Sequence, residues 1–345
     1  MTTFGIGEAR AQMSVEQAVV NFEGLVREYN VITSGNLNLN NTHTDGSIAV
    51  GGNLTLTGNN VLAMHGNKVG PNPSVYLNGQ LSVSGNSYLN NGYVYAPNLN
   101  SSTTYTGGSQ RSLNNGGSLS YNTSHANSYV DPRNAPAPSG WNLTSTFSEL
   151  AAISNTLAAS SPTGTINFTN NQIVLSTSLT SGVAVFNVDA SQLAGVSGIN
   201  IQINVPADMV YVINVLNAGG QTLFGGSNNN GNVGQNNDQL LWNIVPDSNP
   251  NTSNSITLGS NFYGSILAPM IDLNNTANGN NRYVNGQIVA ASYTHTGAEI
   301  HHVDFSAPVT FSPVPEPSTW GLFGIAGCAM IMLCRRPGAR RRLAA

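Results

Sequence analysis

The residues best suited to chemistry lie near one end of the chain, where Glu299, His301, His302 and Asp304 fall close together. Imidazoles and carboxylates are common zinc ligands. Successive strand residues point to opposite faces, so His301 and His302 cannot share one metal, whereas His302 and Asp304 can. A hydrogen-bonded strand end accounts for the same residues without a metal, and no metal ligand is assigned. His43 and His295 each sit in Thr-His-Thr and read as turn or ladder positions. Asp45-Gly46 and Asp272-Leu273-Asn274-Asn275 offer oxygen ligands for calcium. Neither follows the EF-hand loop or the Gly-Gly-x-Gly-x-Asp repeat, so calcium stays open and no cofactor is assigned.

Cleavage of a glycan needs two carboxylates, or a carboxylate and a base, converging on one face. The fifteen acids are scattered singly, and no Ser/His/Asp order stands out. Gly219-Gly220 and Gly225-Gly226 are too isolated to cradle a phosphate. No catalytic residue is assigned. Thr55-x-Thr57 is the kind of pair a flat ice-binding array would use, but the sequence does not repeat it coil after coil. Tyr95, Tyr105, Tyr121 and Tyr129 either present rings to a glycan or pin a polar stretch to the wall beneath it.

Charge narrows the classes further. Charged residues make up 8 % of the chain, against about a quarter in ordinary globular domains. Five of the eleven basic residues are Arg335, Arg336, Arg340, Arg341 and Arg342, which leaves residues 1–317 with a net charge near −9. Binding to nucleic acid needs clustered Lys and Arg, so it is excluded as the expected role. Both cysteines, Cys328 and Cys334, lie in the terminal apolar run. The remainder must therefore hold together without disulfides.

The elements that position these groups are read from periodicity. Ser14 to Tyr29 has apolar residues at spacings of three and four behind a Ser14/Gln17 capping box, which predicts an amphipathic helix covering a flank of the structure. From Val31 the period becomes two: Gly35-Asn36-Leu37-Asn38-Leu39, Gly52-Asn53-Leu54-Thr55-Leu56 and Gly79-Gln80-Leu81-Ser82-Val83 start 17 and 27 residues apart. Gly264-Ser265-Ile266-Leu267-Ala268 and Gly286-Gln287-Ile288-Val289-Ala290 lie 22 apart. Short alternating strands at such spacing, with 49 asparagines and 37 glycines to turn the corners, predict an all-β, right-handed parallel β-solenoid with Asn ladders at its turns. An antiparallel sandwich is the alternative. Residues 98–140 read as a polar loop or insertion. A second accessory helix is expected over Phe147 to Ala159, capped at Thr146. Among the later strands, Ile199 to Val205 alternates most regularly.

Beyond a Pro-rich linker, 307–317, an uncharged apolar run spans 318–334 and ends in the basic tail, 335–345. Seventeen helical residues reach about 26 Å, enough for one pass through a bilayer. A buried core helix is the competing reading. The arginine cluster would keep the last residues cytoplasmic and place residues 1–317 outside. Residues 1–13 read as the end of a signal peptide or as disordered: Ala9-Arg10-Ala11 before Gln12 has the small-x-small pattern of a cleavage site, or is a chance triplet.

Pro315-Glu316-Pro317, the apolar run and the arginine cluster together resemble the PEP-CTERM sorting signal of Gram-negative bacteria. That resemblance implies recognition by an exosortase and a membrane-anchored precursor whose mature form is released or retained at the cell surface. Gly35-Asn36-Leu37, Thr44-Asp45-Gly46-Ser47-Ile48-Ala49-Val50-Gly51-Gly52-Asn53-Leu54, Gly264-Ser265-Ile266-Leu267-Ala268-Pro269 and Asn285-Gly286-Gln287-Ile288 are similar to the choice-of-anchor A family of bacterial surface adhesins, over residues 14–306. The expected function is a non-enzymatic exported adhesin or matrix protein. It would bind a polysaccharide or a surface protein through an Asn/Ser/Thr-rich face by many weak contacts. A polysaccharide-active β-helix lyase or hydrolase is the alternative.

Overall fold

The computed structural model describes residues 13–107, 111–122, 130–169, 172–194, 200–204, 209–224, 237–249, 252–276 and 282–306, all within one compact unit, Met1–Val309. Pro315, Glu316, Pro317, the run 318–334, the five terminal arginines and Tyr129 lie outside the described residues. Among the described residues no helix is long and apolar enough to cross a membrane.

The chain opens with helix α1 (Val15–Val26), capped as expected by Ser14, whose Oγ accepts the Gln17 N–H at 3.1 Å. Gln17 does not complete the box, because its amide turns to Asn21 instead. Then come three turns of a three-sided coil. They are β1 (Tyr29–Thr33), β2 (Leu37–Asn40) and β3 (His43–Thr44); β4 (Ser47–Val50), β5 (Leu54–Thr57) and β6 (Val61–Leu62); and β7 (Val75–Leu77), β8 (Leu81–Ser84) and β9 (Asn86–Leu89). Strands on each side stack in parallel: Leu37 pairs with Leu54 and Leu54 with Leu81, so the sequence offsets of 17 and 27 are coil lengths.

Residues 98–140 contain more order than a loop. After β10 (Val94–Tyr95), β11 (Thr104–Thr106), β12 (Ser112–Asn115) and β13 (Gly117–Tyr121) form antiparallel pairs that extend the β9 edge. Gly116, at φ +85°, supplies the left-handed turn between β12 and β13. Only Leu113, Leu119 and Tyr121 are buried across those two strands, so the apolar alternation that marks other strands is too sparse to read. Helix α2 (Leu143–Ala158) starts four residues before the expected position, because Asn142, not Thr146, is its N-cap: the Asn142 Oδ1 accepts the Ser145 N–H at 3.1 Å.

Stacking in chain order would place the next strands beside β10. Instead, β14 (Gly164–Thr169), β15 (Gln172–Thr177), β16 (Val183–Asp189), α3 (Ala190–Ala194), β17 (Asn200–Asn204), β18 (Val210–Ala218), β19 (Thr222–Leu223), β20 (Leu240–Pro246), β21 (Ser255–Leu258), β22 (Phe262–Tyr263), β23 (Ser265–Asn275), β24 (Val284–Asn285), β25 (Ile288–Thr296) and β26 (Glu299–His301) build from the opposite end back to the beginning. The first side runs β10-β7-β4-β1-β25-β23-β20-β18-β16. The two halves of the solenoid therefore meet at a seam where β1 and β2 pair with β25 and β3 pairs with β26. β17 is a correction to the expected tube: it pairs with β15 in a separate three-stranded sheet with β14.

What makes the seam continuous is side-chain register. One inward row runs Phe186–Ile213–Trp242–Ile266–Ile288–Val31–Ile48–Val75–Val94, crossing the seam between Ile288 and Val31 without a break. Burying such a row removes several large apolar side chains from water at roughly 1.5–3 kcal/mol each. On the outer surface of this first side, α1 and α2 cover the strands. Beneath α2, Asn187, Asn214 and Asn243 form a ladder: Asn243 Nδ2 donates to Asn214 Oδ1 and Asn214 Nδ2 to Asn187 Oδ1, both at 2.9 Å. Ser154 of α2 donates to Asn243 Oδ1 at 2.7 Å. These buried amides are satisfied only with the helix in place, which fixes where it docks.

Corners are tight where coils touch backbone to backbone. Gly264 has φ +95°, and a Cβ there would sit 2.8 Å from the Leu240 carbonyl oxygen; one on Gly286 would sit 2.3 Å from the Gly264 carbonyl oxygen. Gly264→Ala is expected to lower stability by about 1–3 kcal/mol. A urea titration reads it as a lower midpoint at unchanged slope; an unshifted midpoint would show slack in the corner.

Candidate binding surface

Among the described residues, α1 and α2 lie on the first side of the tube, and the short α3 meets the second side at its end strand β19. The second side consists of β8, β5, β2, the second halves of β25 and β23, β21 and β19, all parallel. Period-two strands turn every second residue outward. Register aligns those residues into one row: Ser82, Thr55, Asn38, Thr294, Asn274, Thr257 and Thr222. A second row adds Ser84, Thr57, Asn40 and Thr296. The rows present hydroxyls and amides about 4.8 Å apart between strands and about 6.6 Å apart along each strand. Neighbours also brace one another: Asn38 Nδ2 donates to Thr294 Oγ1 at 3.1 Å, Asn274 Nδ2 to Ser255 Oγ at 2.8 Å, and Ser292 Oγ to Asp272 Oδ1 at 2.5 Å. Thr55-x-Thr57 therefore has a counterpart, Thr294-x-Thr296, two strands away across Asn38-x-Asn40.

At the edge of this side the expected Asn ladder exists, but it bonds to backbone. Asn36 Oδ1 accepts the Asn53 N–H, Asn53 Oδ1 the Gln80 N–H (both 2.8 Å), and Gln80 Oε1 the Asn100 N–H at 3.0 Å. Each amide thus holds the next coil's corner.

The third side, of short strands, gathers the titratable residues. His301 Nδ1 lies 3.3 Å from Asp45 Oδ2, and His65 Nε2 lies 3.5 Å from Asp45 Oδ1. Glu299 touches His301 Nε2 at 3.4 Å and His43 Nδ1 at 3.6 Å. His43 and Asp45 belong to the first coil and His301 and Glu299 to the last, so the chain of pairs crosses the seam. Hydrogen bonding to Asp45 raises the His301 pKa above the ordinary imidazole value, against the opposing effect of burial. Burial pushes the Asp45 carboxyl up, but the His301 hydrogen bond and charge, the His302 N–H and His65 together hold it below the usual range.

His301 and His302 do point apart. His302 is buried, with Nε2 3.1 Å from Asp304 Oδ1 and 3.3 Å from the Gln287 amide. Lys68 Nζ sits 2.9 Å from the other Asp304 oxygen. His302 and Asp304, the two that could share a metal, thus bond to each other, with the Lys68 ammonium where a cation would bind. Asp45 is flanked by imidazoles, Asp272 accepts from Ser292, and Asn275 is buried. Among the described residues no group of three or more His, Cys, Asp or Glu is arranged to hold a metal ion. His295 lies inside the tube: its Nε2 is 2.9 Å from the Ala298 carbonyl, which fixes the proton there and leaves Nδ1 to accept from Tyr293 Oη at 2.8 Å.

A cavity of ≈ 370 Å³ on the flank is lined by Arg27, Glu28, Lys68, Gly70, His302 and Asp304 among others. A glycosidase pair needs one carboxyl with a raised pKa. The His302 hydrogen bond and the neighbouring Lys68 instead hold Asp304 well below the carboxylate range. Among the described residues, the carboxyls that their surroundings shift, Asp45, Asp131, Asp189 and Asp304, are shifted downward. Tyr121 is buried with Tyr105 edge-on against it, and Tyr95 packs on Tyr76, so these rings pin their segments.

Sequence reasoning missed three things. The outward rows join residues from both ends of the chain. Gln287 is buried and ties the seam, donating to the Val26 and Tyr29 carbonyls and accepting the Phe305 N–H. The only signal for it was its place in Asn285-Gly286-Gln287-Ile288. The imidazole chain was visible only as scattered histidines.

A split parallel β-solenoid with α1 and α2 packed on one side and in-register polar rows on another defines a scaffold for binding surfaces. Residues 22–302 match the family described as "Putative Ice-binding-like adhesive domain", and the chain belongs to that family. Among solved structures it is similar to an ice-binding protein from the Antarctic ascomycete Antarctomyces psychrotrophicus, at 13 % identity and TM-score 0.30, over 81 % of this chain and 96 % of that one. It is similar to the Arctic-yeast ice-binding protein LeIBP, at 12 % identity and TM-score 0.30, over 89 % and 99 %. It is also similar to the DUF3494 domain of an ice-binding protein of Shewanella frigidimarina, at 14 % identity and TM-score 0.33, over 81 % and 96 %. No curated protein matches the chain.

Proposed function

We propose that the protein is a non-enzymatic, exported adhesive protein whose open, hydroxyl- and amide-bearing side binds a glycan or protein surface. The observation that carries this reading is the in-register row Ser82–Thr55–Asn38–Thr294–Asn274–Thr257–Thr222, in which Ser82 and Thr222 are exposed and the other five are half-buried. Each contact is a hydrogen bond exchanged with water, worth roughly 0.5–1.5 kcal/mol net. Useful affinity then requires many of them at once, which a regular array provides. Family membership supports adhesion. Delivery rests on the tail: Pro315-Glu316-Pro317, the apolar run and Arg335, Arg336, Arg340, Arg341 and Arg342 support sorting by an exosortase, with a membrane-anchored precursor. The motifs shared with choice-of-anchor A proteins, Asn285-Gly286-Gln287-Ile288 at the seam among them, support the same export route. Downward-shifted carboxyls argue against the polysaccharide lyase or hydrolase alternative.

The test is a double variant, Thr55→Lys with Thr294→Lys, in the full chain kept in mild detergent. On immobilised glycans and collagen, the parent is expected to bind and the variant to lose at least about tenfold in affinity, as two long charged side chains block simultaneous engagement of the array. Its melting temperature should stay near the parent's, because both positions face outward. Adsorption to growing ice, measured in parallel, would reassign the same side to ice if only that signal responds to the variant. A variant that binds as the parent does, or a parent that binds none of these, overturns the proposal.

A further inference from the structure

The third side carries a different row, which the reading above does not use. Tyr88 of β9 pairs in register with Val61 of β6, Val61 with His43 of β3, and His43 with Glu299 of β26. Val284 pairs with Ile300, which puts Tyr283 beside Glu299. The row crosses five parallel strands, about 19 Å from end to end at the usual strand spacing. Tyr88 is 50 % exposed although its neighbours Ser87 and Leu89 are buried, so its ring stands on the outer surface. His43 turns Nδ1 toward Glu299 at 3.6 Å, which leaves its Nε2 as the free ring edge. Tyr283 is held by its hydroxyl, 2.8 Å from that of Tyr263, and by edge-on packing against His301.

We propose that this row is a second binding site, for a neutral polysaccharide chain lying across the strands. A sugar ring has an apolar C–H face and a rim of hydroxyls. Tyr88 and Val61 offer the apolar surface for one, and His43 Nε2 and the Glu299 carboxylate offer acceptors for its hydroxyls beside it. Charge selects the occupant. Glu299 belongs to the row, Asp45 lies on the same side, and the row has no Lys or Arg. A polyanion, whether nucleic acid or acidic polysaccharide, would meet like charge without the clustered cations it needs. A neutral chain meets no such penalty. The site is separate from the Ser/Thr/Asn side, so the two fail independently.

The test measures adsorption of the full chain, in mild detergent at neutral pH, to insoluble cellulose as the neutral probe and to immobilised polygalacturonate as the acidic one. The parent should bind cellulose in preference. Tyr88→Ala should weaken that binding by about three- to tenfold, in line with the loss of an aromatic stacking contact. Tyr88→Phe should retain it, since the ring and not the hydroxyl makes the contact. Val61→Lys, which raises a flexible charge in mid-row, should abolish it and guards against a Tyr88 variant that folds poorly. Thr55→Lys with Thr294→Lys should leave cellulose binding unchanged. No cellulose binding by the parent, preference for polygalacturonate, equal binding by Tyr88→Ala and Val61→Lys, or loss only in the Thr55/Thr294 variant would each overturn the proposal. So would loss that tracks with dissociation of a dimer in sedimentation, which would make the row a contact between copies.

Discussion

Trp242→Ala is expected to remove about 3–5 kcal/mol of stability, a large share of what a folded domain typically has to lose. The indole is 1 % exposed within the inward row, with Ile213 and Ile266 as its in-register neighbours. Phe224 and Phe262 pack edge-on against it at 5.5 and 5.2 Å between ring centroids. Its Nε1–H donates to the Tyr263 carbonyl at 2.8 Å, so truncation leaves both a void and an unpaired buried oxygen. Coils stacked on two sides cannot close over a gap of that size without shifting a whole rung. Urea unfolding of the parent and the variant measures the difference. A loss below about 1 kcal/mol would mean that the rungs slide more freely than their register indicates.

The second large effect is acid sensitivity centred on His295. Burial pushes its pKa down to about 4, from an unfolded value near 6.5. Because the folded pKa lies below the unfolded one, the unfolded chain binds the extra proton between these values. Stability is therefore whole above about pH 6.5 and declines as pH falls toward 4, by up to about 1.4 kcal/mol per pH unit and roughly 3 kcal/mol in total. The groups around the ring are the Tyr293 hydroxyl, the Asn275 amide and the Ala298 carbonyl, none of which carries a charge to offset an imidazolium. His301 works in the other direction. Its folded pKa is raised, so its contribution is full below about 6.5 and fades as pH rises through the folded value. Asp45 and Asp304, both lowered, keep their contributions until the pH falls into the acid carboxylate range. Unfolding free energies from pH 7.5 to 4.5 should thus fall toward acid, and His295→Gln should flatten that slope even though it costs stability at pH 7. A parent whose stability does not change between pH 6.5 and 4.5 would place His295 outside the dry interior.

Much of the fold was legible because it repeats. Alternation in β2, β5 and β8, and offsets of 17, 27 and 22 residues, correspond directly to paired rungs, since a parallel stack keeps register only when each coil presents the same inward period. Strands without that alternation were invisible: β12 and β13 carry few apolar residues and are held by their turn and by β9. Ile199 to Val205 misled for the converse reason. Its pattern states that one face should be buried, not in which sheet.

By itself, then, the sequence determined the local period, the coil lengths, the helix start at Ser14, the charge-poor surface, and the composition of a binding face made from Ser, Thr and Asn. Only the tertiary structure decided that the tube is split, that residues near 38 and near 294 share one face, and that the five histidines among the described residues divide into a buried neutral ring, a His302–Asp304 pair capped by Lys68 and an imidazole–carboxylate chain. The physical reason is that backbone periodicity is a property of neighbours along the chain, whereas pairing between β1 and β25 joins residues 257 apart, as in Val31 with Ile288. That choice is made by which half-solenoid end best buries its exposed edge, and no local pattern records it.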